Sequence, residues 1–278
     1  MIVIADSGST KCNWQLIAGG GVRCVRSCGI NAALQPPERI EAIVAECFPS
    51  PAEVEALWFY GAGCGERYPG PSARLREVLA RHFRTSHIGI ESDLTGAAHA
   101  LLADRAGIAC ILGTGSNSCY WDGRRIVRNV PPLGWILGDE GGGAYIGRRL
   151  VGDLLKGLCD ETLCDLLYAE ERLDYEGIIR RVYREPMGNR FLASLTRFVA
   201  RHLDRPELAA LVRESFDAFV QRNLRQYPAG AEVSALGGVA FHFEPLLRAA
   251  LADNGFRVGR IAESPDEGLR RYHCGVGR

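Results

Sequence analysis

No charge of either sign is left over in this chain. Thirty-three Lys and Arg are matched by 33 Asp and Glu across 278 residues. A basic field that could hold a nucleic-acid backbone by counterion release is therefore missing. No like-charge run is long enough to make a tail. No apolar stretch approaches the ~18 residues of a membrane-spanning helix. The chain runs straight into Ile2-Val3-Ile4, with no basic leader, long apolar core or cleavage site, so no secretory leader is expected. Ten cysteines are present, at 12, 24, 28, 47, 64, 110, 119, 159, 164 and 274, but no CxxC and no zinc-finger spacing. That pattern excludes the common zinc modules and argues against a disulfide framework. The expectation is a reducing cytoplasm, with most thiols acting as small buried hydrophobes. Cys159 and Cys164, at i and i+5 on a helix, would diverge. A Walker A loop, the protein-kinase loop set and a GxGxxG dinucleotide turn are all missing.

What is present is a packable chain. Apolar residues make up 47%, and the length suits one large domain or two of roughly 100–150 residues. Period-2 and buried apolar runs predict strands at residues 2–4, 12–18, 22–28, 54–60 and 88–90. Apolar residues at helical spacing predict helices over 38–48, 72–83 and 94–103. The order then restarts with strands at 108–112, 118–121 and 125–130, the last two joined by the hairpin turn Asp122-Gly123. A helix-rich stretch follows, with helices at 143–158, 175–183, 190–202, 207–226, 244–253 and 266–272. Strands at 232–236 and 257–261 fall between the last of these. Residues Gly157–Pro206 match no motif.

The restart is visible in the letters. Ser7-Gly8-Ser9-Thr10-Lys11-Cys12-Asn13-Trp14 aligns with Thr114-Gly115-Ser116-Asn117-Ser118-Cys119-Tyr120-Trp121 at a constant offset of 107. This is a single long-period repeat, not a solenoid array. It predicts two related α/β halves, each opening with strand, turn, strand.

Those turns carry the chemistry. In Asp6-Ser7-Gly8-Ser9-Thr10 a glycine lets backbone approach an anion, and hydroxyls and successive N–H groups add donors. Asp6 cannot bind phosphate, but it can hold Mg²⁺ through water. Gly113-Thr114-Gly115-Ser116 offers a second cradle of the same kind. Gly138-Asp139-Glu140-Gly141 is an acidic turn before a helix, able to accept hydrogen bonds from vicinal hydroxyls or to cap the helix. Asp93 follows a strand and opens a small-residue helix, where it could cap that helix. Asn31 reads as an ordinary turn residue.

Together these segments resemble the acetate-and-sugar-kinase, Hsp70 and actin superfamily. Within it the chain resembles the N-acetylglucosamine kinase-like group of the BadF/BadG/BcrA/BcrD ATPase family. Asp6–Thr10 and Gly113–Ser116 resemble its two phosphate motifs. Leu133–Gly141 resembles its sugar-binding segment, and Ala235–Ala240 its adenosine motif. The resemblance implies an α/β fold of two actin-like, ribonuclease H-like domains with mixed, helix-flanked sheets and a cleft between them. The domains are expected at 1–112 and 113–263, with a helical insertion at about 143–230 and a last helix, about 264–278, packing back on the first domain.

The implied activity is transfer of the ATP γ-phosphate to the 6-hydroxyl of N-acetylglucosamine or a related amino sugar, with ATP and Mg²⁺ as cofactors. Asp93 is the implied general base and Asp6 the implied metal residue. Ser7, Gly8, Ser9, Thr10, Lys11, Thr114, Gly115, Ser116, Gly237 and Gly238 are expected at the nucleotide. Asn31, Gly134, Asp139 and Glu140 are expected at the sugar. A cytoplasmic homodimer is expected, with no nucleic-acid or membrane partner. The alternative is a BadF-type activator ATPase coupled to an iron–sulfur cluster, for which Cys110, three residues before Gly113, is the candidate thiolate.

Overall fold

The computed structural model describes residues 1–8 and 10–275. Ser9, and residues 276–278 of the expected closing segment, lie outside the described residues. In chain order the elements begin β1 (Ile2–Ser7), β2 (Lys11–Ala18), β3 (Gly21–Cys28), α1 (Pro37–Cys47), β4 (Ala52–Glu53), β5 (Ala56–Gly61), α2 (Pro69–His82), β6 (Phe83–Arg84), β7 (Ile88–Ser92) and α3 (Asp93–Leu101). They continue with β8 (Gly107–Leu112), β9 (Ser116–Trp121), β10 (Ile126–Val130), α4 (Gly134–Leu137), α5 (Gly143–Leu155), α6 (Glu161–Glu171), α7 (Tyr175–Tyr183), α8 (Gly188–Ser194), α9 (Thr196–Arg201) and α10 (Pro206–Arg222). Last come β11 (Glu232–Leu236), α11 (Gly238–His242), α12 (Glu244–Asp253), β12 (Arg257–Ala262) and α13 (Asp266–Cys274).

The chain divides into two compact units. The first is Met1–Ala103 with the segment from Pro265; the second is Asp104–Ser264. The division falls after Ala103 instead of after Leu112. The reason is β8, which pairs with β9 on one side and β11 on the other and so belongs to the second sheet.

The first unit is built on a five-stranded sheet, ordered β3-β2-β1-β5-β7. β1 runs antiparallel to β2 and parallel to β5, so the sheet is mixed. Its core gathers around buried Trp14, whose ring lies 5.2 Å from Phe48 and 5.9 Å from Phe59. α2 faces this core with Leu75, Val78 and Leu79, the i, i+3, i+4 stripe of an amphipathic helix. The expected first strand stopped at Ile4, yet β1 extends to Ser7. Asp6 and Ser7 continue the ladder opposite Asn13 and Cys12, so Asp6 stands on a strand and not in a turn.

The second unit repeats the plan, with sheet order β10-β9-β8-β11-β12. Its strand β8 is buried almost throughout, as a central strand covered on both faces should be. Between β10 and β11 the chain makes α4 to α10. α6 had no expected bounds. Its cap is Asp160, which accepts a 2.8 Å hydrogen bond from the Thr162 N–H. The helix expected over 190–202 is divided at Leu195 into α8 and α9.

Candidate functional site

The first unit brings together a set of carboxylates. Asp6, near the end of β1, is half-buried. Its carboxyl is pushed up to about 7, first by burial, then by Asp266 and Asp93, with Lys11 opposing. Asp93 is the first residue of α3. The cap of that helix is Ser92, whose hydroxyl accepts the Thr95 N–H at 3.0 Å. Asp93 is thereby relieved of capping; its Oδ1 accepts the neighbouring Leu94 N–H at 2.8 Å, and its own backbone N–H also supports the carboxyl. Burial raises its pKa despite the backbone hydrogen bonds that favour the ionised form.

Asp266 opens α13, and no sequence motif pointed to it. Asn13 Nδ2 donates to its Oδ2 at 2.6 Å, and Gln15 Nε2 donates to Oδ1 and to its backbone oxygen at 3.2 Å each. The other amide oxygens, Asn13 Oδ1 and Gln15 Oε1, are buried without a hydrogen-bond partner. The available signal for Asp266 was positional. It is an acidic helix start following a final strand, as Asp93 is after β7.

α13 is fastened further by the Tyr60 hydroxyl, 2.9 Å from His99 Nδ1 and 2.7 Å from His273 Nε2. At Gly268 an added Cβ would stand 2.3 Å from the Ala100 carbonyl oxygen of α3, so only glycine allows this approach.

The first turn is open. The Gly8 N–H donates to the Lys11 carbonyl at 3.0 Å. A Cβ on Gly8 would meet only that oxygen, at 3.9 Å, so the conformation there does not require glycine. Gly8, Thr10 and Lys11 are exposed. Ser7 differs from the expectation that set it on phosphate. It is fully buried, its hydroxyl donates to the Ile30 carbonyl at 3.0 Å, and it accepts the Ile30 N–H at 2.8 Å. The hydroxyl is engaged in holding the segment that leads to Asn31. Asn31 in turn uses Oδ1 to accept the Ala33 and Leu34 N–H groups at 3.1 and 3.2 Å. Among the described residues no partner engages its Nδ2 group.

In the second unit the Gly113–Ser116 turn and the acidic turn form one packed body. The N–H groups of Gly143 and Ala144, at the start of α5, donate to the carbonyls of Gly113 and Thr114 at 2.8 Å each. A Cβ on Gly115 would lie 2.5 Å from Asp139 Oδ2, and one on Gly142 would lie 2.6 Å from the Gly115 carbonyl carbon. Asp139 is buried, adopts a positive φ of 53°, and accepts the Ser116 N–H. Burial first, then Glu140, raises its carboxyl to about 6. Ser116 is buried and Thr114 half-buried. Gly237 closes the body from the side. Its φ is 115°, and a Cβ would sit 2.3 Å from the Leu112 carbonyl oxygen. Gly238 then begins α11. Beside the turn is a cavity of about 560 Å³, lined by Gly113, Thr114, Gly238 and His242 among others.

Glu140, expected at the sugar, is buried, is held by Arg222 Nε at 2.5 Å and Asn223 Nδ2 at 3.4 Å, and lines a second cavity with Leu133. Its carboxylate braces α10. Cys110, the candidate cluster thiolate, is fully buried in β8, and burial pushes its thiol well up. A thiol so placed cannot meet a cluster at a protein surface. Gly134 is exposed, with φ 75°, and its carbonyl accepts the Gly138 N–H at 2.8 Å. All ten cysteines are free thiols. No helix among the described residues is long and apolar enough to cross a membrane.

Two mixed five-stranded sheets of one topology, each flanked by helices and each carrying a glycine-rich turn after its first strand, define the actin-like ATPase class of fold. Solved structures agree. One from Porphyromonas gingivalis, provisionally named an N-acetylglucosamine kinase, matches with a TM-score of 0.91 and 41% identity over 100% of both chains. Another from Chromobacterium violaceum, provisionally named in the same way, matches with a TM-score of 0.69 and 19% identity over 98% of both chains. The second likeness bears on the fold alone. No family model and no curated protein matches the sequence. With 41% identity along the whole length, the chain belongs to the N-acetylglucosamine kinase-like family.

Proposed function

We propose that the chain is an ATP-dependent sugar kinase that phosphorylates the 6-hydroxyl of N-acetylglucosamine or a related amino sugar. One observation carries the mechanism: Asp93 opens α3 with a raised pKa and no capping duty, in the same unit as Asp6. A carboxylate so placed is a base for an alcohol. It accepts the hydroxyl proton as the sugar oxygen attacks phosphorus.

No group of three or more His, Cys, Asp or Glu side chains among the described residues is arranged to hold a metal ion directly, so a divalent cation near Asp6 would be held through water. Asp6, Asp93 and Asp266 bring more negative charge than Lys11 balances, and the buried oxygens of Asn13 and Gln15 lack donors that coordinated water would supply. Mg²⁺ held there by Asp6 through water would neutralise charge on the phosphates. Gly8, Ser9, Thr10 and Lys11 of the first unit serve the phosphates. So do Thr114, Gly115 and Ser116 of the second, and Gly237 and Gly238 serve the nucleoside. Ser7 acts through Ile30 and Asn31, whose Nδ2 group meets a sugar hydroxyl. Asp139 carries the sugar with its remaining acceptor capacity, and Gly134 lets the backbone turn beside it. The chain is taken to act as a cytoplasmic homodimer.

The test is a coupled assay of ADP release with glucose, glucosamine, N-acetylglucosamine and N-acetylmuramic acid. Stimulation by an amino sugar is expected. ADP release that no sugar stimulates overturns the proposal.

A further inference from the structure

The helical insertion has no motif of its own, yet it walls the cavity of about 560 Å³ in the second unit. That volume lies within the range of small-molecule sites. The floor is the Gly113-Thr114 turn. Two walls rise from it. One starts at Gly237, packed on Leu112 and Gly113, and continues through Gly238 to His242, one helical turn on. The other is the face of α8 and α9 carrying Ala193, Arg197 and Arg201, at i, i+4 and i+8.

This second wall also starts at the floor. A Cβ on Gly143 would stand 3.1 Å from the Ala193 methyl, and the Gly143 N–H donates to the Gly113 carbonyl. Arg197, beyond the break at Leu195, shares this cavity with Gly238 and His242 of the facing wall. A nucleotide whose phosphates rest on Gly113-Thr114 would have its base between these walls.

The two arginines of this wall differ. Arg201 Nη2 is bound by Glu170 and Glu171 at 2.8 Å each, with its guanidinium 6.0 Å from the Phe198 ring centroid. Arg197 is exposed and lines the cavity, and no hydrogen bond or ion pair engages it among the described residues. A guanidinium is planar and weakly hydrated, and it stacks on aromatic faces in a way an ammonium does not. It lines the same cavity as the Gly113-Thr114 turn.

We propose that Arg197 stacks its guanidinium on the nucleotide base, making the helical insertion one wall of the nucleotide site and Arg197 a nucleotide-contacting residue. The proposal rests on the phosphotransferase reading above. It is tested by titrating ADP, and separately adenosine, into the wild type, Arg197→Ala and Arg197→Lys by calorimetry, with melting temperatures confirming that each variant folds. Arg197→Ala is expected to weaken both ligands by a similar factor, about 3–30-fold, with Lys restoring little. Unchanged affinity for both ligands overturns the assignment. A loss confined to ADP overturns it too, since that marks a phosphate contact. A wild type that binds no ADP overturns the phosphotransferase reading itself, and this assignment with it.

Discussion

The two sheets share one strand order, and the two glycine-rich turns share a sequence repeat at an offset of 107, but the turns are built in opposite ways. The first stands open. Gly8 tolerates a Cβ, and the nearby carboxylate, Asp6, comes from the same strand. The second is enclosed. Gly115 is pinned by Asp139, Gly142 lies against Gly115, and Gly237 closes the flank. Buried Cys12 and Trp14 in one sheet and buried Cys119 and Trp121 in the other show that the repeat is retained where it makes core. It diverges at the turns, where it makes chemistry. Each turn still ends beside a carboxyl raised toward neutrality, Asp6 to about 7 and Asp139 to about 6. The shared requirement is a buried acid, and the segment that supplies it has changed.

The carboxylates can be separated first. Asp93→Asn is expected to lower kcat by roughly 10²–10⁴-fold, the usual contribution of a positioned base, with ATP KM little changed. Asp139→Asn should raise the KM values of both sugar and ATP, because it weakens a sugar acceptor and loosens the second turn while leaving the base intact. Steady-state kinetics on both variants would merge the two roles if the effects coincided.

The glycines sharpen the contrast next. Gly115→Ala drives a methyl into Asp139, and Gly237→Ala places one at positive φ against a backbone oxygen. Each is expected to destabilise the protein by about 1–3 kcal/mol. Gly8→Ala, with open space around it, should stay within about 0.5 kcal/mol. Urea unfolding of the three variants checks this, and equal losses at Gly8 and Gly115 would erase the distinction between open and enclosed turns.

Ser7 and Thr114 differ likewise. Ser7→Ala leaves the Ile30 N–H and carbonyl unpaired in the core and should cost about 1–3 kcal/mol. Thr114→Ala should leave stability unchanged and weaken ATP binding.

The smallest effect is on pH dependence. A carboxyl whose pKa is raised by folding favours the fold at low pH and withdraws that support as pH rises through the folded value. For Asp6 the window runs from about 4 to about 7. Asp6→Asn should therefore raise the melting temperature at pH 8 by roughly 2–4 °C, with the gain vanishing by pH 4. The histidines around Tyr60, pushed down to about 4 by burial, act in the opposite sense as pH falls from 6.5. The comparison must therefore be made against the wild type at each pH.

Much of this was legible in the letters, for stated reasons. Strand spacing and the repeat at offset 107 reflect alternate burial, which sequence records directly. Helices α7, α12 and strand β11 fall on their expected bounds because apolar spacing and flanking turns agree. α6 had no expected bounds, although Leu163, Leu166 and Leu167 fall at helical spacing behind the Asp160 cap; Cys159, expected on a helix with Cys164, precedes that cap. Asp93 stood out because an Asp between a strand and a small-residue helix matches the pattern of the family the chain resembles. Asp266 did not, because its role depends on α13 returning to the first unit after some 160 residues of the second unit. Side-chain engagement was the least legible. Nothing in the order of letters says that the Ser7 hydroxyl turns to Ile30 or that Glu140 turns to Arg222.

The central claim joins a base, Asp93, to one oxygen of one class of sugar. Phosphorus NMR of the reaction with ATP, Mg²⁺ and N-acetylglucosamine tests that claim most directly, comparing the wild type with Asp93→Asn. The account predicts a phosphomonoester on the 6-oxygen from the wild type, formed at least about 100-fold more slowly by the variant. Free inorganic phosphate without a sugar ester, or an ester formed equally fast by Asp93→Asn, would contradict it.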